Sequence, residues 1–186
     1  MAAGIDRLSS LPADTSRVAA IGHSAGGQLA VWAAGRGKLP PGALPGAVPG
    51  PAAPRVMLRG VVSQAGVLAL ADCAREGVGG TAATDLMGGG PDELPEEYRL
   101  ADPMAAVPLD VPVLCLHSRD DDDVPFSYSE RYVAAAAAAK GNAALRETRG
   151  DHFTLIDPAS PDWAAAVDAL PGLLAGVLVA GDQGDQ

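Results

Sequence analysis

Residues 17–30 of the chain are RVAAIGHSAGGQLA, and this stretch decides the fold. Its first part, residues 17–22, is a short apolar run of the kind that forms a buried strand. Residues 24–34 predict a helix, which the glycines at positions 35 and 37 end. The tight sequence GHSAG separates the two predicted elements. The stretch therefore predicts a strand that turns sharply into a helix.

The rest of the chain continues this alternation of strands and helices. Further strands are predicted at 59–64, 111–116 and 144–148, and further helices at 126–140 and 161–180, the last one kinked or split at Pro171-Gly172. Residues 38–54 are rich in proline and glycine and predict a loop, and residues 77–103 predict only short helical pieces. We therefore predict a single α/β domain over residues 1–186, with a parallel sheet of about four strands flanked by helices.

Composition excludes several classes of partner. The formal net charge of −10 at pH 7 disfavours nucleic acid and anionic membrane surfaces, which bind Lys and Arg. The longest apolar tract, residues 173–180, is too short to span a bilayer, so no membrane partner is expected. The two cysteines, Cys73 and Cys115, form no CxxC motif and no Cys/His cluster. Because the start of the chain shows no signal peptide pattern either, we expect a cytoplasmic protein with reduced thiols. We also expect no cofactor.

The turn GHSAG fits the pattern G-x-S-x-G, which presents a nucleophilic serine when it follows a strand and opens a helix. The turn is so tight that Ser24 is expected to be strained, and Gly22 and Gly26 are expected to let the neighbouring backbone approach closely. The backbone N–H of Ala25 then lies at a helix N-terminus and predicts an oxyanion donor. The alternative is an ordinary glycine-rich turn in which Ser24 only caps the helix.

A nucleophilic serine needs a base, and the chain has three histidines. His23 lies within the turn, and we expect its side chain to point away from Ser24. His117 ends the third predicted strand. His152 lies in a loop after the fourth strand, at the carboxyl end of the sheet, where α/β proteins place their sites. We therefore predict His152 as the base, the alternative being a helix-capping or surface histidine.

The base in turn needs an orienting acid. Residues 120–123 are four consecutive aspartates that follow the third predicted strand. One of them can be buried against His152 while its neighbours stay solvated. The alternatives are a solvated acidic turn and, more weakly, a metal site. No metal is predicted, because the segment lacks the spacing and the glycine of a calcium loop.

Three stretches together resemble the α/β-hydrolase superfamily, and most closely its small-carboxylesterase and kynurenine-formamidase-like branch. They are residues 17–30, residues 113–125 and residues 150–153, and they spread the resemblance over nearly the whole chain. The second stretch is similar to the family pattern L-H-G-x-x-D-x-x-V-P. These motifs are fairly specific for the fold and the triad, but not for the substrate.

The position of the acid in that family pattern corresponds to Asp121. Ser118 stands where the family usually has glycine, so Asp120 and Asp122 stay open as alternatives. The resemblance implies a serine hydrolase that acts on small carboxylic esters or N-formyl amides through an acyl-serine intermediate. A prolyl-oligopeptidase-like serine peptidase shares the same turn and triad.

Members of this family carry several strands and a His-Gly-Gly-type loop before the nucleophile strand, whereas Ser24 stands close to the start of this chain. We therefore expect a partial, N-terminally truncated fold that is weakly active or inactive. The nucleophile strand is expected to be an open edge through which copies of the chain can associate. The rival interpretation is a non-catalytic remnant or half-domain that needs a partner to supply strands.

Overall fold

A computed structural model describes residues 1–40, residue 43 and residues 54–178. Four strands form one parallel sheet in chain order. The strands are β1 (Val18–His23), β2 (Leu58–Gln64), β3 (Val113–Ser118) and β4 (Ala143–Thr148). Their bounds differ from the predicted ranges by no more than two residues. The predicted parallel α/β sheet is therefore confirmed, while most of the predicted loop at 38–54 lies outside the described residues.

The described part of the chain contains eight α-helices. They are α1 (Ala2–Arg7), α2 (Ala25–Gly35), α3 (Leu70–Glu76), α4 (Ala82–Met87), α5 (Pro95–Ala101), α6 (Ser127–Ala138), α7 (Pro161–Asp168) and α8 (Leu170–Leu174). The short helical pieces predicted within 77–103 are α4 and α5, and α3 was not predicted. None of the helices in these ranges has the length and apolar character needed to cross a bilayer.

The predicted final helix is divided, but not at Pro171. The break falls two residues earlier, at Ala169, and Pro171 occupies the first turn of α8. Proline is accepted there because the N–H it lacks has no intrahelical partner in the first turn of any helix. The residues of that prediction beyond 178 lie outside the described chain.

Helices pack on both faces of the sheet, which explains why the inner strands β2 and β3 are buried along most of their length. Successive residues of β2 point to opposite faces: Val61 joins the cluster that contains Val31 of α2, and Val62 joins the cluster that contains Leu173 of α8. Every residue of β2 except Arg59 is buried. Sheets covered on both faces have unbroken hydrophobic strands rather than alternating ones.

The topology places the candidate site residues at the end of the sheet where the strands reach their carboxyl termini. Because all four strands are parallel, their carboxyl ends lie on the same side of the sheet. Ser24 follows β1, Asp121 follows β3 and His152 follows β4. Within the described chain, β1 forms one edge of the sheet and pairs only with β2.

Candidate active site

The turn between β1 and α2 consists of Ser24 alone. Its backbone has φ 55° and ψ −122°, a region that residues with a side chain rarely occupy. The strain is held by β2 and its following loop: the Ser24 N–H donates to the Gln64 carbonyl at 2.8 Å, and the Val67 N–H donates to the Ser24 carbonyl at 3.2 Å. Strained residues persist where the surroundings fix them, and such positions cluster at functional sites.

The glycines of this turn have unequal roles. A Cβ on Gly22 would lie 2.1 Å from the Gly26 carbonyl oxygen, so this position requires glycine. A Cβ on Gly26 would meet nothing within 4 Å, which corrects the expected steric role of that residue. Gly27 takes the role instead, because a Cβ there would lie 2.7 Å from the Gly66 Cα. The second close approach is thus between α2 and the loop after β2.

The start of α2 leaves a backbone donor at the site. The Ser24 side chain makes no capping hydrogen bond, so the alternative of a helix-capping serine finds no support in the geometry. Ala25 is the first residue of α2, and its N–H donates no hydrogen bond within residues 1–40, 43 and 54–178. An unpaired N–H at a helix N-terminus favours a negative charge placed next to it.

Asp121 and His152 form a buried pair. His152 Nδ1 lies 2.7 Å from Asp121 Oδ2, and the two side chains are 5% and 0% exposed. The other carboxylate oxygen, Oδ1, accepts the backbone N–H groups of Asp123 at 2.9 Å and Val124 at 2.8 Å. Asp120 and Asp122 are exposed. Of the three aspartates that the sequence left open, the structure thus joins Asp121 to His152.

The charge of Asp121 sets the tautomer of His152. Burial on its own raises the pKa of Asp121, but the hydrogen bonds from Val124, His152 and Asp123 outweigh it and hold the pKa below its ordinary value. The carboxylate is therefore ionised at neutral pH and can only accept hydrogen bonds. His152 consequently carries its proton on Nδ1, which leaves Nε2 as a free acceptor.

His117 is a second buried histidine on the same carboxylate, a role that the sequence did not reveal. Its Nε2 lies 3.3 Å from Asp121 Oδ2 and 3.1 Å from the Val124 carbonyl, and its Nδ1 lies 2.8 Å from Ser129 Oγ. Burial lowers the pKa of His117, so the ring is neutral. Since the carbonyl can only accept, Nε2 holds the proton and Nδ1 accepts from the Ser129 hydroxyl. His117 thus donates toward Asp121.

His23 also contacts the predicted base. The ring centroids of His23 and His152 lie 4.4 Å apart, and His23 Nε2 lies 2.8 Å from the His152 backbone carbonyl. Burial lowers the pKa of His23. No local pattern signals this contact, because the two residues are 129 positions apart in the chain.

Ser24 and His152 line the same cavity, which has a volume of about 560 Å³. No hydrogen bond joins the Ser24 hydroxyl to the His152 ring among the hydrogen bonds of the described chain. The apolar side chains of the cavity come mostly from α3, α4 and the segments beside them: Val67, Leu70, Val78, Ala82, Ala83 and Leu86. Asp122, Asp123 and the exposed Phe153 also line it. The structure thus brings Asp121 and His152 into contact and places Ser24 on the wall of the cavity beside them.

The acidic segment also offers ligand atoms of the kind that metal ions bind. Atoms of Asp121, Asp123 and His152 lie within 4.8 Å of one another. Both oxygens of Asp121 already accept hydrogen bonds, and His152 Nδ1 is one of the donors. The hydrogen bonding favours an acid that orients a base, and the expectation of no metal stays a prediction.

A serine on a strained strand-to-helix turn and a buried Asp–His pair lie at the carboxyl end of one parallel sheet, and this is the arrangement of the α/β-hydrolase class. Comparison with protein-family models matches residues 6–135 to the family described as BD-FAE, an α/β-hydrolase-type esterase domain, and the chain belongs to this family. The predicted membership of the α/β-hydrolases is confirmed. No curated protein matches the sequence significantly.

Solved structures share the fold at low sequence identity. A truncated form of a carbohydrate esterase from gut microbiota has a TM-score of 0.70 and 20% identity, over 94% of this chain and 67% of its own. The esterase Est2 of the Planctomycetes species Thermogutta terrifontis has a TM-score of 0.65 and 19% identity, over 99% of this chain and 65% of its own. The acylaminoacyl peptidase of Pyrococcus horikoshii has a TM-score of 0.67 and 18% identity, over 96% of this chain and 27% of its own. The chain therefore spans about two thirds of such esterases and about a quarter of the peptidase.

Proposed function

We propose that the chain is a serine hydrolase that cleaves small carboxylic esters or N-formyl amides through an acyl-Ser24 intermediate. The observation that carries the proposal is the buried 2.7 Å hydrogen bond between His152 Nδ1 and Asp121. It leaves His152 Nε2 free to accept a proton, on a cavity that Ser24 also lines. Its family and the esterases among the similar structures support the same chemistry.

In this mechanism His152 Nε2 takes the Ser24 proton while the hydroxyl oxygen attacks the substrate carbonyl. The Ala25 N–H stabilises the oxyanion of the tetrahedral intermediate. As the intermediate collapses, His152 returns the proton to the leaving alcohol or amine, and the acyl group remains on Ser24. A water molecule, deprotonated by His152, then attacks the acyl-serine, and His152 returns this proton to Ser24 Oγ as the acid is released. Asp121 stays ionised throughout and stabilises the imidazolium that forms twice in the cycle.

The cavity supports small and mainly apolar substrates. Its volume of about 560 Å³ suits a small molecule, and most of its wall is aliphatic. Asp122 and Asp123 are the acids on that wall, so an anionic substrate meets repulsion there. Neutral esters and amides are the substrates that this lining favours.

A serine peptidase is the second candidate, because an acylaminoacyl peptidase shares the fold. Peptidase and esterase chemistry use the same acyl-serine, so the leaving group separates them. N-acetyl-alanine p-nitroanilide tests the peptidase and p-nitrophenyl acetate the esterase. The proposal expects Ser24-dependent hydrolysis of the ester and none of the anilide, and Ser24-dependent cleavage of the anilide would favour the peptidase.

Labelling with a fluorophosphonate probe tests the proposal directly. We expect one adduct per chain, at Ser24 by peptide mass spectrometry, and none in the Ser24→Ala variant. Ser10→Ala removes an exposed serine hydroxyl and is the matched control, which should label like the wild type. A folded wild-type chain that does not label would contradict the proposal and favour a non-catalytic half-domain.

Turnover of p-nitrophenyl acetate is expected to be weak. The Ala25 N–H is the one oxyanion donor that we identify in the described residues. The lack of a second donor typically costs about 10²–10³ in kcat. Rapid turnover that Ser24→Ala abolishes would contradict the expected impairment while upholding the hydrolase.

Two further proposals concern the surroundings of the protein. Cys73 and Cys115 are both unpaired and buried, which supports a cytoplasmic location with reduced thiols. Association of copies through the outer edge of β1 also stays a proposal, which analytical ultracentrifugation tests.

A further inference from the structure

Two side chains at the carboxyl ends of neighbouring strands reach the same loop. His23 ends β1 and Gln64 ends β2, and their Cα atoms are partners in the parallel ladder. His23 Nε2 lies 2.8 Å from the carbonyl of His152, and Gln64 Nε2 lies 2.7 Å from the carbonyl of Leu155. Both carbonyls belong to residues 149–157, which we call the base loop.

The base loop has few other polar connections to the sheet. Its remaining backbone hydrogen bonds, within the residues that the structure describes, run between its own members or to Ser160 just after it. The side chain of Asp151 also bonds only within the loop, to Phe153 and Thr154. Apart from the Asp121–His152 bond, His23 and Gln64 supply the hydrogen bonds that tie this loop to the strands.

At neutral pH both side chains keep the protonation state that these hydrogen bonds need. A carbonyl oxygen can only accept, so His23 must hold its proton on Nε2. Burial lowers the pKa of His23, which keeps the ring neutral and the tautomer fixed at neutral pH. Gln64 is 1% exposed, and its amide donates at any pH. Removal of either donor leaves a carbonyl of the loop without its partner.

We propose that His23 and Gln64 are positioning residues, which hold the base loop so that the ring of His152 faces Ser24. The same two residues also fix the nucleophile. His23 immediately precedes Ser24 in the chain, and the Gln64 carbonyl accepts the Ser24 N–H at 2.8 Å. His23 and Gln64 thereby position both the nucleophile Ser24 and the loop that carries the base His152. This inference rests on the proposed function, because it names the residues that position Ser24 and His152, the nucleophile and the base of that function.

The experiment compares variants that remove each donor with variants that keep it. His23→Leu and Gln64→Met remove the donors, and His23→Gln keeps an amide N–H near the position of Nε2. A displacement of about 1 Å at a reacting group can lower a rate about 10²-fold. We expect His23→Leu and Gln64→Met to lower kcat and the rate of fluorophosphonate labelling about 10²-fold with little change in KM. His23→Gln should recover most of the lost rate.

Trp32→Phe is the matched control. Trp32 Nε1 donates to the Leu100 carbonyl at 2.9 Å, so this variant removes the same kind of bond between α2 and α5, outside the cavity that Ser24 lines. Its rates per folded molecule should equal those of the wild type. If His23→Leu and Gln64→Met also keep wild-type rates per folded molecule and lose only stability, the positioning role is overturned.

Amide hydrogen exchange separates this inference from the proposed function. We expect faster exchange in residues 152–156 for His23→Leu and Gln64→Met than for Trp32→Phe, whether or not the chain is active. If the wild type does not label at Ser24, the proposed function fails and the exchange data still decide whether the two residues hold the loop. Unchanged exchange in both variants would overturn the inference. If Gln64→Met does not fold, His23→Leu carries the test, because His23 is only partly buried.

Discussion

Replacement of Asp121 by asparagine should remove catalysis while preserving the fold around it. Oδ1 of Asp121 accepts two backbone N–H groups, at 2.9 and 2.8 Å. The amide oxygen of asparagine must take that place, because an NH₂ group there would face two donors. The NH₂ group then lies where Oδ2 was, 2.7 Å from His152 Nδ1, and His117 Nε2 keeps the Val124 carbonyl as its acceptor. Since NH₂ only donates, Nδ1 must accept, and the proton of His152 moves to Nε2.

The magnitude follows from this wrong tautomer. A proton on Nε2 prevents His152 from accepting the proton of Ser24. In serine proteases the equivalent substitution lowers kcat about 10⁴-fold with the geometry intact. At about 1.4 kcal/mol for each factor of ten, the loss is about 5 kcal/mol of transition-state stabilisation. We expect a loss of the same order in the rate of fluorophosphonate labelling, which measures the first step alone.

The variant also predicts a change in acid stability. The pKa of Asp121 in the folded chain lies below its ordinary value, to which we assign the unfolded chain. The ionised group therefore stabilises the fold above the unfolded pKa of about 3.9, and this contribution is lost as pH falls through the folded pKa. Asp121→Asn should lose that dependence, which urea unfolding at pH values between about 2 and 6 measures.

Asp120→Asn and Asp122→Asn are the controls for the acid, because both side chains are exposed members of the same aspartate run. They should keep the labelling rate of the wild type within about twofold. The reasoning is refuted if Asp121→Asn stays within tenfold of the wild type while either control loses the 10⁴-fold. That result would place the acid elsewhere in the run.

Three further predictions concern the glycines of the turn, the acids on the cavity wall and a buried thiol. Gly22→Ala should prevent folding, because its Cβ would lie 2.1 Å from a backbone oxygen. Gly26→Ala should be tolerated or raise the free energy of unfolding by up to about 1 kcal/mol, and urea titration measures both variants. Asp122→Asn should raise kcat/KM for anionic mono-p-nitrophenyl succinate about fivefold relative to neutral p-nitrophenyl acetate, because one charge near the substrate is worth about 1 kcal/mol. Asp120 does not line the cavity, so Asp120→Asn should leave this ratio unchanged. Burial raises the pKa of Cys115 to about 12, so iodoacetamide at pH 8 should alkylate it only after denaturation, by mass spectrometry.

The sequence predicted the sheet well because each strand carries its own local signal. Three apolar runs and a weaker fourth segment, residues 144–148, needed no long-range information, and their alternation with helices indicated the parallel topology. The helix α3 was missed because its sequence, LADCARE, continues an apolar segment without a glycine or proline to mark its start. The break near Pro171 was predicted at the proline itself, although proline is well accepted in the first turn of the helix that follows.

The site was predictable in part, for a related reason. Motif spacing pointed to Gly26, but the close approach that excludes a Cβ occurs at Gly27, where α2 meets the loop after β2. The choice of Asp121 within four aspartates came from a resemblance, and its physical basis is the burial of that one carboxylate. The contact of His23 depends on the packing of segments far apart in the chain, which the spacing of a single sequence does not encode. His117 contacts Asp121, Val124 and Ser129 within its own stretch of chain, but the sequence alone does not show which of these groups are buried together.

The contacts that position the candidate groups come from a connected part of the fold. Ser24 is held by its hydrogen bond to Gln64 of β2, and Asp121 by the backbone that follows β3. His152 is held by Asp121 and by His23 of β1. These bonds join Ser24, the carboxyl ends of β1 and β2 and the segments that follow β3 and β4, and none uses the outer edge of β1. Within the described residues, the hydrogen bonds that hold Ser24, Asp121 and His152 therefore form without any strand paired to that edge.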